Sequence, residues 1–597
     1  MALLATVLGI GLVLFVHELG HFLAARLAGV RVEVFSLGFG PRLFGVRRGD
    51  TEYRLSLLPL GGYVMMAGEG GTGDGPPRPG ELESVSRPWR FLIYSGGILM
   101  NFLFAFVLVP VLFALGVPFA KPELGVVEPG GPAWRADLRA GDLVERVGER
   151  DVHGFRHLAM AVVLSSADEP LPLVVRRDGA RLGVTVTPER DPATGLATLG
   201  VTPAMRPTPV PDGPAAAAGL SPDDEVLEID GVPVAGDTLG AQVVLEDLLL
   251  DPRPFTVLAR TPDGEVRSLQ VRPEPPREPL APQLGVQELR NRVLEVRGPL
   301  AAGLRTGDVV LAADGVPVHS LADLYLAALR RGSVPELRVR RDGAELVVPA
   351  RDDLEPSEVP HGLHMDADPD ALRVAVRPGS PAARAGLRDG DVVLRVEQTP
   401  VRDFDELRWA ILAAVGDGAG APELTLAVTD APGGRVRLVR ARPEPPPYAD
   451  PGLGFRVVEW TVRSANPLAA VRLGLREAWQ TMVEVGLTVR RMFGGEIAPS
   501  NLGGIITIGQ VTHGFAEQGW IPLFFFLCLV SINLGVLNLL PIPALDGGHL
   551  LLLLVEAVRR RPVSPGFRAA FHLVGFVLVV GLILFVTTQD LRRLFGG

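Results

Sequence analysis

Residues 2–16 contain no charged side chain, and this apolar run does not end in a polar loop. It continues into Phe15-Val16-His17-Glu18-Leu19-Gly20-His21. A stretch of this kind, extended to about residue 28, has the length and composition of a membrane span. It lacks the basic leading segment of a cleaved signal peptide and runs through the histidine pair, so it reads as a retained span. On a helix, His17 and His21 stand one turn apart on one face, where both imidazoles reach a single metal ion. Glu18 lies beside them, positioned to take a proton from a metal-activated water. A carboxylate and two histidines at bilayer depth are costly and mark a functional site. At 1.5 Å per residue, His17 sits about 22 Å along the helix, within the membrane and toward its far face.

Three further runs qualify as spans: residues 91–117, 521–540 and 569–587. Arginines in the short connections set the orientation. Arg31, Arg42, Arg47, Arg48, Arg54, Arg78, Arg87 and Arg90 follow the first span; Arg559, Arg560, Arg561 and Arg568 precede the last. Both connections are expected to be cytoplasmic, which places both termini and the long middle outside. At 597 residues the chain needs several domains. Its single cysteine, Cys528, rules out an internal disulfide, and a net charge of −10 gives no support to nucleic-acid binding.

The middle is a fourfold repeat. Asp137-Leu138-Arg139-Ala140-Gly141-Asp142, Gly219-Leu220-Ser221-Pro222-Asp223-Asp224, Gly303-Leu304-Arg305-Thr306-Gly307-Asp308 and Gly386-Leu387-Arg388-Asp389-Gly390-Asp391 share one pattern. Each precedes an apolar strand and a turn. The last Asp recurs every 82 to 84 positions, at 142, 224, 308 and 391, a period that implies duplicated domains and not a solenoid. Pro-rich stretches at 203–214, 273–282, 351–360 and 442–451 read as stiff linkers. The A-G-L-x-x-G-D-x-V run resembles PDZ domains attached to bacterial proteases. That resemblance implies small β-sandwiches with peptide grooves, whose helices would begin near Phe155, Leu239, Leu321 and Phe404. The candidate carboxylate loops are Leu124-Gly125-Val126, Leu199-Gly200-Val201, Leu284-Gly285-Val286 and Gly362-Leu363-His364.

A catalytic zinc takes three protein ligands and a water. The third candidate is Asp546, in Asn538-Leu539-Leu540-Pro541-Ile542-Pro543-Ala544-Leu545-Asp546-Gly547-Gly548. Pro541 and Pro543 cannot continue a helix, so the span should unwind there, which a membrane tolerates only where protein or a wet cavity surrounds it. HExxH in a first span, this segment in a late one, and PDZ-like repeats between them resemble the site-2 protease family, specifically its RseP-type members. By that resemblance His17, His21 and Asp546 hold Zn2+, Glu18 is the catalytic base, and Asn533 and Asn538 lie at the substrate strand. Segments 35–41, 53–57 and 59–64 read as hairpin strands, which the family likeness makes a re-entrant loop offering an edge strand. Residues 68–79 read as a flexible connection. Ile98 and Ile505 stand where the family usually has proline, questioning local helix geometry and substrate gating. Residues 469–493 are amphipathic, with Trp479, Met482, Val485 and Leu487 among polar neighbours, and are expected at the outer membrane surface or packed on the repeats. His549 and Glu556 read as structural.

The expected architecture is a helical membrane core of about four spans with a membrane-associated β-hairpin, plus four tandem PDZ-like β-sandwiches. Its boundaries are 1–119 (first half of the core), 120–204, 205–279, 280–355 and 356–448 (the repeats), 449–520 (connecting region) and 521–597 (second half). The expected activity is zinc endopeptidase cleavage of single-span membrane proteins, of the kind an anti-sigma factor or a signal-peptide remnant presents, in the inner membrane of a bacterium. The repeats would lie on the periplasmic side, bind peptide or protein ligands, and exclude substrates with bulky external domains. The rival from another class is a catalytically inactive, membrane-anchored PDZ scaffold; a soluble-facing zincin conflicts with the span around His17.

Overall fold

The computed structural model describes residues 2–68, 78–192, 194–276, 280–415, 421–495, 503–561 and 563–595. Most of the connection at 68–79, part of the stretch at 273–282 and Leu502 lie outside them. The chain divides into a helical unit (1–119, 190–197 and 459–597) and a β-rich unit (120–189 and 198–458).

In the helical unit, α1 (Ala2–Leu27) is followed by an antiparallel hairpin of β1 (Val32–Arg48) and β2 (Thr51–Met66), then by α2 (Arg87–Leu115). The third apolar helix is Trp520–Leu539, and the fourth, Gly566–Arg592, lies within the helix Pro565–Phe595. All four are long and apolar enough to cross a membrane. Apolar burial cannot drive helices together in lipid, so small residues at close crossings matter more. Gly20 of α1 and Gly96 of α2 meet backbone to backbone; a side chain on either would strike the other's carbonyl. Below that crossing, Ala105, Val109, Leu112 and Phe113 of α2 pack with Phe525, Cys528 and Ile532 of the third helix.

The third helix stops at Leu539, the residues around Pro541 and Pro543 are irregular, Ala544 adopts φ +73°, and a new helix opens at Asp546 (Asp546–Arg559). The two prolines thus act as their chemistry requires. Ile98 is buried inside an uninterrupted stretch of α2, and Ile505 opens the helix Ile505–Gln518. The helix Pro467–Phe493 packs along α2. Its packed face is Ala470, Gly474, Glu477, Ala478, Thr481 and Glu484, set against α2, with Gly474 on the backbone of Pro110. Trp479 is exposed instead. Gly474 and Ala478 permit the close approach, and Leu473, Met482 and Val485 pack partly buried against the same cluster as α2.

Among its described residues the β-rich unit contains four copies of one meander. In each, a strand pairs with a two-residue strand on one side and with a hairpin on the other. The leading strands are Leu143–Val147, Glu225–Ile229, Val309–Ala313 and Val392–Val396. A helix separates each from its hairpin: Phe155–Val163, Thr238–Leu250, Leu321–Arg331 and Phe404–Val415, starting at or within one residue of the four expected positions. The repeated Asp is a clasp. Asp142, Asp224, Asp308 and Asp391 are buried, and each accepts from the backbone N–H three residues before it. Each also pairs with an arginine from its own hairpin: Arg177, Arg267, Arg341 and Arg437. That arginine donates in turn to a carbonyl at the start of the repeat segment. A buried carboxylate is tolerated because a backbone N–H and an arginine both meet it, and in Asp142 and Asp308 both oxygens are bonded.

Strand pairing crosses the sequential boundaries 205–279, 280–355 and 356–448. The strand Leu124–Val127 of the first module is closed by Val201–Pro203, so Leu124-Gly125-Val126 and Leu199-Gly200-Val201 belong to one module. The second module's strand Met205–Pro209 is closed by Leu453–Val457, far beyond residue 279. Val374–Val376 of the fourth module pairs with Val286–Glu288, which precedes the third. The third closes on itself, Arg292–Val296 with Leu363–Asp366. The third module is therefore inserted in the fourth, and both in the second. Leu453-Gly454-Phe455 is the second module's counterpart to the candidate loops. A repeat period locates each module's helix and clasp, but carries no signal of which distant strand completes a ladder.

Candidate metal centre

His17 and His21 are buried on α1, and their Nε2 atoms lie 3.3 Å apart. Asp546, the first residue of its helix, brings Oδ2 to 3.2 Å from His17 Nε2 and 3.4 Å from His21 Nε2. These three are the one group among the described residues whose His, Cys, Asp or Glu ligand atoms converge as a metal site would require. Ligands about 2.0–2.1 Å from a tetrahedral zinc are themselves roughly 3.3 Å apart, which matches all three separations.

The protonation pattern agrees. A carbonyl only accepts, so the 2.8 Å contact from His21 Nδ1 to Ile93 O places the proton on Nδ1 and leaves the Nε2 lone pair facing Asp546. Asp546 Oδ2 is buried with no hydrogen bond. Lone pairs on two imidazoles and a carboxylate cannot share a dry site without a cation between them. On His17, the side-chain amide of Asn101 lies 3.1 Å from Nδ1, and Asn101 Oδ1 is buried without a partner. A half-turn of that amide makes Oδ1 the acceptor of the His17 Nδ1 proton and satisfies both groups.

Gly97 of α2 supplies the floor. A Cβ there would lie 2.5 Å from His21 Nε2 and 2.6 Å from His17 Cε1. Glu18 is half-buried beside β2, where a Cβ on Gly62 would come within 3.1 Å of its Cγ. A side chain at 62 would clash with the Ser36 carbonyl and crowd Glu18, so glycine leaves room beside the carboxylate. Asn538 is buried with Nδ2 3.4 Å from His17 Nε2. Asn533 is exposed on a different face of the same helix. His549 stays outside the ligand group and stacks on Tyr94 at 4.9 Å. Glu556 is held by Arg90, Arg568 and the Val563 N–H. Asn101, Gly97 and Gly62 went unremarked as site residues; the one available signal was an asparagine inside an uncharged span.

The family model of Peptidase family M50 matches residues 5–582. A "Putative zinc metalloprotease" of Ralstonia nicotianae is 27% identical over 100% of this chain and 99% of its own length. One of the same description from Thermotoga maritima is 24% identical, over 98% and 97%. The "Regulator of sigma-E protease RseP" of Salmonella typhimurium is 26% identical, covering 99% of this chain and 98% of its own. With a family match across nearly its whole length, the chain belongs to peptidase family M50, the zinc metalloendopeptidases of the site-2 protease type.

Proposed function

We propose that this protein cleaves single-span membrane proteins within or beside their spans, with His17, His21 and Asp546 as zinc ligands and Glu18 as general base. The observation that carries the reading is the convergence of two imidazoles and a carboxylate from remote parts of the chain, with a second carboxylate half-buried beside them. Zinc, when bound, polarises the scissile carbonyl and acidifies the attacking water. Glu18 accepts that water's proton and returns it to the leaving amine. Asn101 and the Ile93 carbonyl fix the two imidazole tautomers, so that both Nε2 lone pairs face the metal position. Asn538, beside His17, is suited to donate toward the developing oxyanion.

A helical substrate segment shields its own amides and must unwind before hydrolysis. The hairpin edge beside Glu18 is the natural place for the unwound segment to pair as an added strand. The β-modules, read as PDZ-like, bind peptide ligands on the periplasmic side of a bacterial inner membrane and select against bulky external domains. Anti-sigma factors and signal-peptide remnants are the substrate kinds that this reading favours.

The test is Glu18→Gln, assayed for zinc content and for cleavage of a membrane reporter. Zinc should be retained and cleavage abolished; wild-type turnover would refute the assigned base.

A further inference from the structure

A PDZ-like module admits a peptide only if the strand after its carboxylate loop keeps a free edge and its helix can stand off to receive a new strand. In the third module these elements are Leu363–Asp366 and the helix Leu321–Arg331. The strand ends its sheet, but the helix packs directly on it. Its outer side is not free either: it packs on the second module's helix Thr238–Leu250, with Tyr325 Oη donating to Asp237 at 2.5 Å. The two modules share one hydrophobic core, whereas the fourth has its own.

The loop end of the third module is covered by the first. Trp134, in the short helix Pro132–Arg135, is 1% exposed. Its Nε1–H donates to Pro360 O at 3.0 Å, and its ring edge meets His364. Arg297 lies 3.6 Å over the indole while donating to the Trp134 carbonyl at 2.7 Å. Beside it, His361 pairs with Asp137 at 3.0 Å. Gly130, at φ +78°, lies against the His364 ring with no space for a side chain. A large aromatic in a desolvated pocket, capped by a cation and hydrogen-bonded at its polar edge, is how interface anchors are built.

We propose that the loop end of the third module is an internal docking site whose resident occupant is Trp134 of the first module. The second and third modules then act as one spacer body, and any peptide capture by this chain belongs to the first or fourth. The inference rests on the PDZ-like reading for its consequence, but the docking itself is testable without it.

The experiment is hydrogen exchange on the full chain in detergent. Trp134→Ala should speed exchange in residues 363–366 by about tenfold or more, while residues 392–396 of the fourth module, the folding control, stay unchanged. Unchanged exchange at 363–366 overturns the proposal. If the control also loosens, Arg297→Leu is read instead: a smaller rise at 363–366 supports the docking and no rise refutes it. In the wild type, a photoreactive peptide with a free C-terminal valine should leave 363–366 unlabelled. Labelling there, or in residues 453–457 of the second module, refutes the proposal, whereas labelling confined to the first and fourth modules supports it.

Discussion

Gly97→Ala isolates the geometry of the proposed zinc site without touching a ligand. Its Cβ would sit 2.5 Å from His21 Nε2, 2.6 Å from His17 Cε1 and 2.7 Å from His17 Nδ1. Ordinary contact between such atoms is about 3.5 Å, so one or both rings must retreat by roughly 1 Å. Neither ring can do so freely. His21 is tied to Ile93 O and His17 abuts Asn101, so moving either ring disrupts a buried contact. Overpacking of this kind costs about 1–3 kcal/mol, and zinc ligands tolerate displacements of only about 0.2 Å. Zinc affinity should therefore fall at least 10- to 100-fold, the range seen when supporting residues of a metal site are lost. The assay is competition of purified protein against a zinc chelator of known affinity. Gly581→Ala, on the fourth apolar helix with nothing within 4 Å, is the control and should bind as wild type. If Gly97→Ala also binds zinc as wild type does, the cradle argument is wrong.

Other predictions concern the β-rich unit. Arg341→Ala leaves Asp308, which is 1% exposed, as a buried charge without its cation, and should destabilise its module by about 3–5 kcal/mol. Arg340→Ala, which breaks an exposed pair with Glu345, should cost under about 1 kcal/mol; equal losses in thermal unfolding would refute the clasp. His319 and Asp389 join the third and fourth modules at 3.1 Å. The hydrogen bond to Asp389 raises the His319 pKa; burial pushes the Asp389 carboxyl up, but its bonds with His319 and the Val376 N–H leave it below the usual range. The raised histidine stabilises below its unfolded value and loses that contribution as pH rises. The depressed carboxylate stabilises above its own and loses it as pH falls. The stability gap between wild type and His319→Gln should thus be widest between about pH 4 and 6.5 and shrink above it. A gap independent of pH would contradict the pairing.

The parts of the fold written in local chemistry were legible. An uncharged run containing His17 and His21, two prolines before Asp546, and a recurring Asp before a strand each have consequences within a few residues. Apolar helices, helix break and the starts of the module helices follow from them. What depends on distant partners was not legible. The functions of Gly97 and Gly62 exist only because another element passes within contact distance, which nothing in their neighbourhood announces. Asn538 was singled out by family likeness with Asn533, yet the two point differently because five residues on a helix turn through well over a full circle. The helix Pro467–Phe493 reads as amphipathic, and Met482 and Val485 do pack partly buried, but its closest approach to α2 is made at Gly474, which no apolar pattern announces. The nesting of modules was hidden because antiparallel ladders form between strands however far apart they lie in sequence.

Zinc measured by elemental analysis in purified wild type and in Asp546→Ala addresses the metal centre most directly. Wild type should carry about one zinc per chain, and the variant should lose most of it while keeping its helical content, because only the third ligand is gone. Equal zinc in the two proteins would mean that the histidine pair and Asp546 do not share an ion, and the proposed catalytic centre would have to be abandoned.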